Sequence, residues 1–149
     1  MTRALLIASL LLAACGAPQS ANRPGGGAQN GPSKRVFGTI AYYAQPVTIT
    51  LSRMATVGEP VTVSVTTSGD GCIVRGETDV RQEGLRVEIR PYDYNTSPGG
   101  VCDDMLRLHV HSQSVTFAAK GSAEIVVYGL EKNASGASNV METRTLNVR

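Results

Sequence analysis

The chain has 149 residues, the length of one average domain, and its composition excludes several classes of protein. Charged residues make up 17% and the formal net charge is +2, which excludes a disordered polyelectrolyte and gives no strong field for binding nucleic acid. The chain has no Trp, two His and three Cys. These are too few for most metal cages and for any catalytic site that needs three imidazoles.

The first residues have the pattern of an export signal. Arg3 precedes an apolar run over residues 4–14. As a helix this run spans roughly 16 Å, about half of the hydrocarbon thickness of a bilayer, so it is too short for a membrane anchor. A short apolar run behind a positive charge is typical of a signal peptide, which we predict for residues 1–14.

A specific motif follows the apolar run. Leu12-Ala13-Ala14-Cys15 resembles the lipobox of bacterial lipoproteins. The resemblance implies that Cys15 becomes the first residue of the mature protein and carries the acyl chains that anchor it in the lipid bilayer; several chains anchor stably. Because Gly16 stands where Asp would retain an enterobacterial lipoprotein in the inner membrane, we expect the outer membrane, facing the periplasm. In a Gram-positive host, the outer face of the cell membrane is expected. An ordinary secretory signal that ends in a Cys is the alternative.

A tether separates the predicted lipid from the folded part. After Cys15, the chain is rich in Gly and Pro up to residue 35, and these residues break helices and strands. Twenty flexible residues span roughly 25 Å. We therefore predict a lipidated, disordered tether over residues 15–35 and a single folded domain over residues 36–149.

The folded part alternates apolar and polar residues with a period of two, which is typical of half-buried strands. Turn signals rich in Gly, Pro, Ser and Asp separate these runs, and seven to nine strands fit into the segment. The sequence therefore predicts an all-β fold with a sandwich architecture. The apolar positions predicted to face the core include Val61, Val63, Val65, Leu85, Val87, Ile89, Leu106, Leu108, Val110, Val115, Phe117, Ile125, Val127, Leu146 and Val148.

The last strands of the chain resemble those of bacterial immunoglobulin-like domains. There, small residues such as Gly121-Ser122-Ala123 lead into an apolar strand, and a loop and a terminal strand follow, here ending Leu146-Asn147-Val148. The resemblance covers about a quarter of the domain and implies a single immunoglobulin-like β-sandwich.

One hairpin is predicted around residues 79–88. A four-residue loop from Arg81 to Gly84 places Asp79 opposite Arg86, whereas a two-residue turn places Arg81 opposite Arg86. Opposite charges across a strand pair stabilise by a few tenths of a kcal/mol, and like charges destabilise. The longer loop is therefore the predicted register.

Two cysteines remain after Cys15 is assigned to lipid. An oxidising compartment favours a disulfide between Cys72 and Cys102, which would close a loop worth about 3.7 kcal/mol in the chain-entropy model. Two unrelated free thiols are the alternative. The chain has no Trp to pack beside an immunoglobulin-type bridge, so the disulfide is expected to tie loops or neighbouring strands.

His109 and His111 are the only histidines, and their spacing places both on one face of a strand. Two imidazoles on one face suggest a weak copper or zinc site. The alternation with Leu106, Leu108 and Val110 instead predicts two solvated histidines on the outward face. We expect this second arrangement and no functional metal site.

Two further groups border turns. Asp103 and Asp104 follow Cys102, and Asp70 precedes Cys72, so a disulfide would gather three carboxylates of the kind that bind Ca²⁺; plain turn acids are the alternative. Four of the five tyrosines lie in Tyr42-Tyr43 and Tyr92-Asp93-Tyr94 beside Gly- and Pro-rich loops. They either anchor a binding surface or close the ends of the sandwich.

The sequence carries no phosphate-binding glycine loop and no nucleophile elbow, and no nucleophile is expected within reach of a histidine. We therefore predict a protein that is not an enzyme and has no cofactor. The favoured function is that of a membrane-anchored envelope lipoprotein with a non-catalytic binding or structural role toward an envelope protein or glycan. The alternative is a small metal-handling lipoprotein that binds Cu or Zn through His109 and His111.

Overall fold

The computed structural model describes residues 33–43 and 45–149. The predicted signal peptide, the lipobox with Cys15 and the tether up to residue 32 lie outside the described residues. No helix in the described part of the chain is long and apolar enough to span a membrane. The described residues form ten strands, β1 Lys34–Phe37, β2 Thr39–Tyr42, β3 Ile49–Leu51, β4 Met54–Ala55, β5 Pro60–Gly69, β6 Ile73–Glu83, β7 Arg86–Asn95, β8 Arg107–Thr116, β9 Gly121–Asn133 and β10 Gly136–Val148.

Hydrogen bonds join the strands into one curled sheet. Along the main path the order is β1-β7-β9-β2-β5-β3, while β6 flanks β7, β8 flanks β5, and β10 flanks β9 and β4. Most ladders are antiparallel, and the ladders β7–β9, β2–β9 and β4–β10 are parallel. The curl brings opposite parts of the sheet face to face, so the predicted all-β, sandwich-like fold class is confirmed.

The core lies between the facing parts of the sheet. It is built from the inward residues of the long strands, chiefly Val and Ile, whose branched side chains pack well on a pleated surface. The largest contributions come from β5, β7, β9 and β10, with Phe117 completely buried directly after β8. The buried cluster consists of Ile40, Ala55, Val61, Val63, Val65, Val87, Ile89, Val115, Phe117, Ala123, Ile125, Val127, Leu146 and Val148.

The first strand begins before the predicted domain boundary. Lys34 and Arg35, which we assigned to the tether, pair with Asn95 and Tyr94 of β7. The Arg35 side chain forms ion pairs with Glu77 and Asp79 of β6. These contacts extend the ordered domain by two residues at its N-terminal end.

The chain passes from one part of the sheet to another at Gly38, between β1 and β2. The Gly38 amide donates to the Pro91 carbonyl at 2.9 Å, and the Gly38 carbonyl accepts from the Leu130 amide at 2.9 Å. A Cβ at this position would lie only 2.6 Å from Thr67 Cγ2. Glycine is therefore required here, because the backbone is wedged between β7 and β9 with no room for a side chain.

The β6–β7 hairpin has a register that we did not predict. Glu83 pairs with Arg86, Arg81 with Glu88, and Asp79 with Arg90. The turn consists of Gly84 and Leu85, and Gly84 has a φ of 58°. The predicted opposition of Asp79 to Arg86 is wrong, since Leu85 belongs to the turn and not to the strand. The observed register nevertheless satisfies the charge rule, because all three pairs are of opposite sign.

Strand β8 is oriented opposite to our prediction. Leu108 is 66% exposed and Val110 is 48% exposed, whereas His111 is 3% exposed. The residues of odd number face inward, from His109 to Val115 at the end of the strand. The prediction of outward histidines and inward leucines is therefore wrong. A continuous strand has a single parity, and buried Val115 and Phe117 fix it.

Candidate functional site

A cavity of about 470 Å³ opens at the end of the sandwich where β5 ends and β6 begins. Its wall includes three carboxylates, from Asp70, Asp93 and Asp104. Asp70 follows β5, Asp93 lies on β7, and Asp104 lies in the loop before β8. Three separate segments of the chain thus bring acidic side chains to one concave surface, and we take this surface as the candidate functional site.

The two loops that carry Asp70 and Asp104 are joined by the predicted disulfide. The Cys72 and Cys102 sulfurs lie 2.08 Å apart, with 5.4 Å between the two α-carbons, within the range for a bridge. The Cys72 amide also donates to Asp70 Oδ1 at 2.9 Å. The pairing that we predicted is therefore present, and it ties loops together as expected, at the edge of the cavity.

The three acids predicted to cluster behave differently. Asp70 and Asp104 line the cavity, whereas Asp103 forms an ion pair with Arg107 at 3.0 Å and also accepts from the Met105 amide. The third carboxylate of the cavity is Asp93 and not Asp103. In the sequence, Asp93 lies between Tyr92 and Tyr94, and we predicted no role for it.

Asp93 is paired with His111 in the interior. His111 Nε2 lies 3.1 Å from Asp93 Oδ1 and 3.2 Å from Thr67 Oγ1, and His111 Nδ1 lies 3.0 Å from Thr78 Oγ1. An ionised carboxylate only accepts hydrogen bonds, so it takes the Nε2 hydrogen. His111 and its two partners at Nε2 are all buried. The exposed fraction is 0% for Thr67, 1% for Asp93 and 3% for His111.

One oxygen of Asp93 has no hydrogen-bond partner among the described residues. Its Oδ2 is buried and forms no hydrogen bond with any described residue. A buried carboxylate oxygen without a donor is unfavourable, and an unpaired acceptor of this kind requires an explanation. Asp93 is also one of the residues that line the cavity.

The rest of the wall combines aromatic, apolar and hydroxyl side chains with the ammonium of Lys132. Phe37, Tyr42 and Tyr43 line one part of it. The ring centroids of Tyr42 and Tyr43 are 4.7 Å apart in an edge-to-face arrangement. The Lys132 ammonium lies 5.7 Å from the centre of the Tyr42 ring, within the range of a cation–π interaction. Two residues that line the cavity thus already place an ammonium group near an aromatic ring.

Tyr43 has a strained backbone at this wall. Its φ is 45°, and it is the one non-glycine residue with a positive φ in the described part of the chain. For a bulky residue this conformation costs of order 1–2 kcal/mol. The Tyr43 amide donates to the Lys132 carbonyl at 2.8 Å, which holds the residue in place. This hydrogen bond fixes the aromatic wall beside Lys132.

Tyr92 and Tyr94 do not belong to the cavity, because they alternate with Asp93 and lie on the opposite face of β7. Arg35 stacks over the Tyr92 ring at 3.4 Å from the ring centre. A hydrogen bond to Glu77 stabilises the protonated phenol of Tyr94 and raises its pKa above 10.0. The predicted tyrosine groups are therefore split, with Tyr42 and Tyr43 at the cavity and Tyr92 and Tyr94 on the outer surface.

The histidine pair does not form the proposed metal site. Both ring nitrogens of His111 are hydrogen-bonded, and His109 is half-buried with its Nε2 lacking a partner among the described residues. In the described part of the chain, the one group of three potential ligands close enough to share an ion is Asp70, Cys72 and Cys102. Its two sulfurs are joined in the disulfide and are not available as thiolates.

Hydroxyl groups do reach a histidine, contrary to our expectation. Thr78, His111 and Asp93 lie in the order hydroxyl, imidazole, carboxylate that catalytic triads use. Here the imidazole is almost fully buried, and Thr78 is half-buried within β6. The same contacts satisfy each ring nitrogen of a buried histidine, and we interpret them as a structural polar network.

No family model matches this chain, and no curated protein or solved structure matches it either.

Proposed function

We propose that this protein is a lipid-anchored protein of the bacterial envelope that binds a small polar ligand, without catalysis, in the cavity that contains Asp93. The observation that carries the binding role is Asp93, which lines an open cavity and whose buried Oδ2 has no hydrogen-bond partner among the described residues. The volume of about 470 Å³ lies within the range of small-molecule sites. Binding of an envelope protein or a glycan, which the sequence analysis predicted, is a separate proposal, and such a partner would contact the outer surface of the domain.

The lipobox Leu12-Ala13-Ala14-Cys15 supports the anchor. The disulfide between Cys72 and Cys102 is consistent with an oxidising, exported location. The outer membrane, facing the periplasm, is the proposed location, or the outer face of the cell membrane in a Gram-positive host. The alternative metal-handling function is disfavoured, because both nitrogens of His111 are occupied by hydrogen bonds.

The anchor is tested by labelling cells with a palmitate analogue. We expect label in the wild-type protein, which fractionates with membranes, and none in Cys15→Ala. Cys72→Ser with Cys102→Ser is the matched control, because it also replaces cysteines and should retain the label. Labelled Cys15→Ala protein would contradict the anchor.

The binding role is tested with a protein-free filtrate of host cells, added to the full chain in a nonionic detergent and followed by amide NMR. We expect shifts confined to cavity residues. Leu106→Trp enlarges a half-exposed side chain in the wall and should suppress these shifts. A filtrate that leaves the cavity amides unchanged would contradict the binding role.

A further inference from the structure

The charge of the cavity wall indicates the sign of its ligand. Asp70, Asp93 and Asp104 provide three carboxylates, against the single ammonium of Lys132. The nearby guanidinium of Arg107 is engaged by Asp103, which does not line the cavity. A wall with more carboxylates than cations attracts a cationic ligand and repels an anionic one.

The unpartnered oxygen of Asp93 indicates the ligand's chemical group. No described residue donates a hydrogen bond to Oδ2, while Oδ1 accepts from His111 Nε2 at 3.1 Å. An N–H group supplies the missing hydrogen bond, and a charged donor forms the strongest bond with a carboxylate. A quaternary ammonium has no N–H and leaves Oδ2 unpaired.

A metal ion does not fit the wall as well as an organic cation does. Among the described residues, the one group of three potential ligands that lie close enough together to share an ion is Asp70, Cys72 and Cys102. The carboxylates of Asp70, Asp93 and Asp104 are therefore too far apart to bind one ion together. The cavity of about 470 Å³ has room for a molecule of several heavy atoms, and Tyr42 and Tyr43 offer aromatic faces. Aromatic faces attract organic cations.

We infer that the cavity binds a small aliphatic amine, with its ammonium N–H groups directed to Asp93 and its chain against the aromatic wall. This inference rests on the proposed binding role and names the class of ligand. Lys132 is the resident cation, placed 5.7 Å from the Tyr42 ring, and it opposes a second positive charge. Removing Lys132 and removing Asp104 are therefore expected to change affinity in opposite directions.

The test is calorimetry of the full chain in a nonionic detergent at low salt, where screening is weak. The probes are putrescine, n-butylamine, tetramethylammonium and butyrate. We expect the two amines to bind, tetramethylammonium to bind about tenfold more weakly than n-butylamine for lack of an N–H donor, and butyrate not to bind.

The variants separate the cavity from general electrostatics. Asp104→Asn should weaken putrescine binding by about threefold, Asp93→Asn by about tenfold, and Lys132→Met should strengthen it by about threefold. Asp104 is exposed, so its variant is expected to keep the fold even if Asp93→Asn does not. Glu59→Gln removes one charge at the opposite end of β5 and should leave the affinity unchanged.

Absence of amine binding, or equal affinity in Asp104→Asn, Lys132→Met and wild type, would overturn the inference. Tighter binding of tetramethylammonium than of n-butylamine would also overturn it, because the role of Oδ2 would then be wrong. If the cell filtrate shifts the cavity amides while all amines fail, the ligand class is wrong and the proposed binding role stands. If both fail, the proposed function fails with it.

Discussion

Asp93 and His111 are the two ionisable residues that the core contains in the described part of the chain, and they are held to each other at 3.1 Å. Thr67 and Thr78 complete the hydrogen bonds of the imidazole. A buried polar pair contributes little net stability compared with apolar residues of the same shape, but removal of one partner is strongly unfavourable. The two residues are therefore expected to behave as a unit when they are mutated.

We predict that His111→Leu lowers the free energy of unfolding by about 3 kcal/mol, because Asp93 is then buried without any partner. The double variant Asp93→Val with His111→Leu should be more stable than His111→Leu alone. Urea unfolding followed by circular dichroism measures both. A double variant that is less stable than the single one would show that the carboxylate is not destabilised by loss of the imidazole.

Glu88 on the outer face of β7 is expected to give stability a dependence on acid pH. Burial alone would raise its pKa, but Arg90 at 2.9 Å and Arg86 at 3.5 Å outweigh burial and hold the pKa below its ordinary value of 4.5. A carboxyl whose pKa is lower in the folded state stabilises the fold above the unfolded pKa, and this contribution is lost as pH falls through the folded pKa.

The prediction for Glu88 is a carbon-detected NMR titration midpoint below 4.5. Unfolding experiments should show that wild-type stability falls more steeply than that of Glu88→Gln as the pH is lowered through this range. A midpoint at or above the ordinary value, or equal slopes for the two proteins, would contradict the assignment.

At the scale of elements, strand β8 has two faces that differ in burial although both carry apolar residues. Val115 is 4% exposed and Val110 is 48% exposed on the opposite face. The substitution Val→Thr keeps the shape and adds a hydroxyl, so it reports the environment of each position. A buried hydroxyl without a partner costs about 1–3 kcal/mol, and an exposed one changes stability by less than about 0.5 kcal/mol.

We therefore predict that Val115→Thr destabilises the protein by about 1–3 kcal/mol and that Val110→Thr stays within about 0.5 kcal/mol of wild type. Chemical denaturation of the two variants under one set of conditions tests this. Equal losses for both would mean that β8 does not have the parity described above.

The sequence predicted the strands well because alternation with a period of two depends only on local burial. The prediction was wrong for β8, because Leu106, Leu108 and Val110 alternate as core residues do although they are exposed. The parity is instead set by Val115 at the far end of the strand and by Phe117 directly after it. Only the continuity of the strand links the two ends, and local alternation does not reveal that continuity.

The predicted register of the β6–β7 hairpin was wrong for a related reason. Leu85 was assigned to a strand because it is apolar, although Gly84 beside it marks the turn with a φ of 58°. Moving the turn to Gly84 and Leu85 creates three cross-strand pairs of opposite charge. The rule that opposite charges pair across strands holds here. The observed register satisfies it with three pairs and differs from both registers that we compared from the sequence.

The cavity was only partly predictable. Tyr42, Tyr43, Asp70 and Asp104 were each noted as turn residues, and the disulfide indicated that two of their loops approach each other. The pairing of Asp93 with His111 joins β7 to β8, whose residues are 18 positions apart and are not neighbours in any ladder. Such a contact depends on the curl of the whole sheet, which local patterns do not encode.

At the scale of the whole molecule, the chain enters the fold at the end that carries the cavity. Lys34 pairs with Asn95 at the start of β1, and Asn95 also pairs with Ile73 directly after Cys72. A chain anchored through Cys15 would thus hold the cavity and the disulfide on the side of the domain from which its tether emerges.

The disulfide joins two loops at this end of the molecule, and its removal should affect the whole fold. Cys72 follows β5, and Cys102 lies in the loop between β7 and β8, with a sequence separation of 30. Closing a loop of this size stabilises the folded state by about 3.7 kcal/mol in the chain-entropy model, and removing native bridges from small exported domains costs about 2–5 kcal/mol.

We predict that a phosphine reductant lowers the urea midpoint of the wild-type full chain, in line with a loss of about 2–5 kcal/mol in the free energy of unfolding. The double variant Cys72→Ser with Cys102→Ser should start near the reduced midpoint and show no response to the reductant. A wild-type midpoint that does not move after complete reduction would show that the bridge contributes nothing to stability.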